Sequence, residues 1–174
     1  LIYREIAVKR RNMALVPVAI KGIEGIISDG VYDEDSLITS FIAGEEFGEL
    51  DIDLRAFVDF HQGLDLTRRG IDKWAEERFD SIPPDTAYYN NVRYVRAVRH
   101  VAEGDIAKAI DIFDELRDSE TISDKLIKDV ERSMARLAFE EQRYDDALAH
   151  FENLRELAPN DPEILLEMAW THYY

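Results

Sequence analysis

The chain has 174 residues, 46% of them hydrophobic and 33% charged, with a net charge of −16. This composition supports a folded core rather than disorder, and its charge opposes binding to phosphate backbones or anionic membranes. With no cysteine, disulfides, thiolate nucleophiles and thiolate metal sites are excluded.

No apolar run approaches the roughly 18 residues that span a bilayer, so no membrane insertion is expected. Met13 to Ile20 follows Lys9, Arg10 and Arg11 in the manner of a signal peptide. Pro17 interrupts it, Lys21 closes it, and a helical pattern runs on past it, so it is read as structure and not as a targeting signal.

From the N-terminus, residues 1–28 place Ala7, Ala19, Ile23 and Ile26 at spacings of 12, 4 and 3. Pro17 then falls in the first turn of a helix, where proline is tolerated. Residues 29–54 hold nine acids and no base. Within them the spacing of Leu37, Ile38, Phe41 and Ile42 predicts a helix over 34–47. The segment IISDGVYDEDS lacks the ligand alternation of a calcium loop, and the acids are expected to be a solvated loop and helix start that also caps the helix, with a docking surface for a basic partner as the alternative.

Three longer segments then repeat one another. Gly63, Gly70, Ala75, Phe79 and Ile82 lie in residues 55–87; Ala97, Gly104, Ala109, Phe113 and Leu116 in 88–121; Ala135, Gln142, Ala147, Phe151 and Leu154 in 122–160. All three have internal spacings of 7, 5, 4 and 3. Such a register predicts antiparallel helix hairpins. Small residues let two backbones approach, an aromatic four positions later fills the space between them, and glycine ends the first helix. Residues 161–174 begin a fourth copy at Ala169 and break off within it, as expected of a piece of a longer protein.

The stretches GDIAKAIDIFDEL and QRYDDALAHFENLRELAPNDPEILLEMAW make the chain resemble a tetratricopeptide repeat protein from about Phe57 to Tyr174. The departures are Arg93 and Arg96 at usually apolar positions and Gln142 in place of a turn glycine. The resemblance implies an all-α, right-handed solenoid of antiparallel hairpins, about ten helices in one array over 1–174, with residues 1–28 a divergent repeat. It further implies that first helices line a concave groove. The groove positions are one after, three before and six before each small residue. They read Leu64, Phe60 and Phe57; then Val98, Tyr94 and Asn91; then Arg136, Arg132 and Asp129; then Trp170, Leu166 and Glu163. The carboxylate clamp of heat-shock co-chaperones, built from paired lysines and asparagines, is not reproduced. Only Asn91, Arg132 and Arg136 are compatible with it.

Lys125, Lys128, Arg132 and Arg136 form a basic stripe on one helix face. It is expected to be solvated and paired with Asp124, Asp129 and Glu131, with a carboxylate-binding patch as the alternative. His100 and His172 occupy the register of Leu66 and Ala138, which marks packing positions. His61 and Asp65 stand at i and i+4, without a visible third metal ligand. No nucleophile elbow, phosphate loop or zinc helix motif occurs. No catalysis, metal or cofactor is therefore expected.

The expected function is a scaffold that binds a protein or peptide in the groove. Two alternatives are an accessory domain of a larger protein, and a self-assembling repeat that pairs through an uncovered C-terminal helix bearing Trp170 and Tyr173. The style of the last repeat suggests a bacterial protein of the cytoplasm or the periplasm and envelope.

Overall fold

The computed structural model describes residues 16–28 and 50–174, which form eight helices and no strand. These are α1 (Val16–Ser28), α2 (Ile52–Arg68), α3 (Asp72–Asp80), α4 (Tyr89–Glu103), α5 (Ile106–Arg117), α6 (Asp124–Glu140), α7 (Tyr144–Leu157) and α8 (Pro162–Tyr173). The all-α expectation holds among the described residues. Eight helices lie among the described residues, against about ten expected for the whole chain. The helix expected over 34–47 and the segment around Ala7 lie outside the described residues, as does most of the acidic stretch.

Side chains fix where helices begin. Asp51 accepts the amide of Leu54 at 2.9 Å, and Ser123 accepts that of Leu126 at 3.2 Å. Asp161 accepts the amide of Glu163 at 2.9 Å ahead of Pro162, whose missing N–H costs nothing in a first turn. Each cap satisfies one otherwise orphaned donor.

The three hairpin turns share one hydrogen-bond pattern. Ile71, Asp105 and Arg143 donate their amides to the carbonyls of Leu66, His100 and Ala138, at 2.9, 2.9 and 2.8 Å. Gly70, Gly104 and Gln142 donate to Thr67, Val101 and Phe139. This is the doubly bonded helix ending that requires a left-handed residue. Gly70 (φ 69°), Gly104 (φ 83°) and Gln142 (φ 62°) supply it. Connections this short force the helices to run antiparallel.

The chain divides into two compact units, Leu1–Tyr89 and Asn90–Tyr174. In the first, Ile20 and Ile23 of α1 pack on Leu54, Phe57 and Val58 of α2. Pro17 lies in the first turn of α1, as the spacing requires. The ring of Phe79 lies so close to Gly63 that a Cβ there would sit 2.4 Å from it. Arg78 closes this hairpin with an ion pair to the buried Asp59 at 3.1 Å.

In the second unit, Ala97, Ala109, Phe113 and Leu116 are enclosed with Val130, Met134 and Leu137 of the next hairpin. Ala135, Ala147, Phe151 and Leu154 are enclosed with Ile164 and Met168 of α8. Each aromatic thus closes its own hairpin and also seats the next first helix. Arg93, a departure from the apolar pattern, pairs with Glu115 of α5. Ala169, the fourth small residue, is exposed, and no described helix covers it.

Candidate interaction surface

The positions assigned to a groove separate by unit. In the first unit, Phe57 is 0% exposed and Phe60 is buried. Phe57 belongs to the α1–α2 core, and Phe60 lies 6.3 Å from Phe79 and 5.5 Å from Tyr88 between ring centroids. Leu64 is half-buried. The pair His61 and Asp65 is occupied structurally: His61 lies edge-on to Phe57 at 4.7 Å, and Asp65 pairs with Arg69 at 3.3 Å. Among the described residues, no group of three or more His, Asp or Glu side chains is placed to hold a metal ion. No described helix is long and apolar enough to cross a membrane.

In the second unit, Asn91 and Tyr94 are half-buried and Val98 is exposed. The Tyr94 hydroxyl lies 3.1 Å from the Ser133 hydroxyl, joining α4 to α6. Burial raises its pKa, and the Ser133 contact only partly offsets that, so Tyr94 serves as a neutral hydrogen-bonding group.

The remaining six positions lie on α6 (Asp129, Arg132 and Arg136) and α8 (Glu163, Leu166 and Trp170). Arg132 meets Asp161 at 3.2 Å and Glu163 and Glu167 at 3.7 Å each. Arg136 reaches Glu167 Oε1 with Nη2 at 2.7 Å and Nε at 3.3 Å. The partners are therefore on the following first helix and its cap. Glu131, one of the acids expected to pair with this stripe, is instead held by Arg117, His150 and Asn153. Leu166 is 59% exposed and Trp170 56% exposed. Trp170 lines a pocket of about 180 Å³, together with Phe139, Phe151 and Thr171 and with Arg136, Glu140 and Glu167.

Sequence reasoning missed Phe139, Glu140 and Glu167. Glu167 is three residues before Trp170 and shares its helix face, and Phe139 is three after Arg136. That spacing was the available signal. The C-terminal aromatics are partly engaged. Tyr174 stacks on Tyr144 at 6.1 Å and meets Phe139 edge-on at 5.8 Å, while Trp170 and Tyr173 touch at 6.4 Å.

The strongest titratable cluster lies away from this face. Glu131 of α6 is buried and accepts from Arg117 Nε of α5 at 2.8 Å. It also accepts from His150 Nδ1 at 2.8 Å and Asn153 Nδ2 at 3.3 Å, both on α7. Burial pushes its pKa up, but the His150 and Asn153 hydrogen bonds and the Arg117 charge together hold it below the usual carboxylate range. An ionised carboxylate only accepts, so His150 carries its proton on Nδ1. The arrangement ties three helices together.

A family model described as tetratricopeptide repeat matches residues 129–171. The match runs from within α6 through α7 into α8 as far as Thr171 and includes every residue that lines the pocket. No curated protein and no solved structure matches the chain. Residues 129–171 are thus similar to a tetratricopeptide repeat, a kind of repeat that serves generally in protein–protein interaction.

Proposed function

We propose that this chain is a non-catalytic protein-interaction module whose docking face is the α6–α8 surface of Asn90–Tyr174. One observation carries the reading: Trp170 stands exposed on an apolar-walled pocket, with Leu166 exposed one turn before it, whereas Phe60 and Leu64 at the corresponding positions are buried and half-buried. An exposed tryptophan next to a fitted cavity is the usual anchor of a protein contact. A second copy of the chain is the alternative occupant, favoured by the exposure of Trp170 and Tyr173 side by side.

The test is capture from the source lysate with the full chain, beside a Leu166→Ala/Trp170→Ala variant. Truncating a tryptophan anchor costs about 2 kcal/mol or more, roughly thirtyfold in affinity. A specific partner should therefore be lost while helical circular dichroism is unchanged. A partner retained by the variant contradicts the assignment. A concentration-dependent doubling of mass that the variant abolishes would assign the face to a second copy.

A further inference from the structure

The chemistry of the partner can be read from the same face, and this inference rests on the α6–α8 docking reading. The pocket holds about 180 Å³, below the roughly 300 Å³ at which small-molecule sites begin. It therefore fits one side chain, not a cofactor. Its walls are two phenylalanines, the face of Trp170 and Thr171. The Thr171 hydroxyl donates its proton within its helix, to the Glu167 carbonyl at 2.8 Å, so it presents no donor to the pocket, and the mostly aromatic walls favour an apolar side chain.

The rim decides the charge. Arg136 gives two donors to Glu167, and Arg132 stands among Asp161, Glu163 and Glu167. An anionic partner would have to draw these arginines from carboxylates they already neutralise. That would leave Glu167, a half-buried side chain, without its compensating charge, a costly exchange. Glu167 Oε2 already lacks a hydrogen-bond donor among the described residues. Glu140, exposed on the pocket rim, makes no ion pair among the described residues. Two arginines thus face four carboxylates. The exposed indole of Trp170 adds a π face that attracts a cation, and the net charge of −16 draws basic partners from a distance.

We propose that the α6–α8 pocket recognises a basic segment of a partner protein, seating one apolar side chain between Phe139, Phe151 and Trp170 and setting a neighbouring lysine or arginine against Glu140. The carboxylate-binding role open to Arg132 and Arg136 from sequence is the opposite reading, and the same experiment separates them.

Trp74 and Trp170 are the two tryptophans of the chain, so a full-length Trp74→Phe form reports on Trp170 alone. Its fluorescence is titrated with three short helical peptides: a leucine flanked by lysines, the same leucine flanked by glutamates, and the lysine peptide with serine for leucine. The lysine–leucine peptide should shift the Trp170 emission and saturate. The glutamate peptide should bind at least about tenfold more weakly, because like charges oppose docking, and the serine peptide should lose the shift. Glu140→Gln should weaken the lysine–leucine peptide several-fold. Equal or tighter binding of the glutamate peptide, no binding of any peptide, or indifference to Glu140→Gln would each overturn the proposal. If the lysine peptide fails while the Trp170 variant still loses its captured partner, only the basic-segment inference falls. If the captured partner survives that variant, the docking reading itself falls.

Discussion

Gln142 holds a left-handed backbone conformation, φ 62°, that Gly70 and Gly104 hold at the same point of the other two hairpins. For a residue with a Cβ this conformation costs about 1–2 kcal/mol. Glycine avoids that cost but gives back some of it through the greater freedom of the unfolded chain. Gln142→Gly should therefore stabilise the protein by a net ~0.5–1 kcal/mol, read as a higher urea midpoint with an unchanged slope. A lower midpoint would mean that the Gln142 side chain makes a contribution absent from the turn geometry. Gly63 shows the complementary constraint. Its φ is ordinary, but the Phe79 ring occupies the space any side chain would need. The same residue type is thus required at one place for its backbone and at another for its size.

At the scale of helices, Glu131 is the point where α5, α6 and α7 are held together. Its depressed pKa means that the folded state favours the ionised form. The resulting stability is present above the unfolded carboxylate value of ~4.3 and is lost as pH falls through the lower folded value. Glu131→Gln should be destabilised relative to wild type at neutral pH by ~1–3 kcal/mol. The gap between the two should close as acid protonates Glu131. Parallel curves from neutrality into acid would contradict the assignment. The hairpins themselves were legible in the sequence, because Phe79, Phe113 and Phe151 and their small partners are fixed by packing within 16 residues of one another. The Glu131 hub was not, since Arg117 lies 14 residues before it and Asn153 22 after it, with nothing periodic to connect them. Ion pairs between hairpins leave no register in a sequence. For the same reason Arg132 and Arg136 could be placed on a shared face but not matched to Asp161 and Glu167, 29 and 31 residues away.

At the scale of the whole chain, one rule of groove positions gave different results in different places. It placed Leu166 and Trp170 at the surface, where they are exposed, and it placed Phe57 and Phe60 there too, where they are buried. The difference lies in the neighbours. Phe57 has α1 packed against it through Ile20 and Ile23, and Phe60 has Tyr88 and Phe79. Trp170 has Tyr173 and the pocket beside it and stays 56% exposed. A positional rule states which way a side chain points, and the availability of that side chain depends on what else the fold brings over it. The same holds for charge. The balance of −16 was legible from composition, but which carboxylates remain to meet a partner depended on which arginines had already been taken.

Hydrogen–deuterium exchange of the full chain with and without its captured partner tests the docking face most directly. Protection should rise over 132–140 and 163–174, with the outer faces of α5 and α7 and the whole of Leu1–Tyr89 unchanged. Protection concentrated on α5 and α7, or within Leu1–Tyr89, with the α6–α8 face unaltered, would contradict the placement of recognition at Trp170 and its pocket.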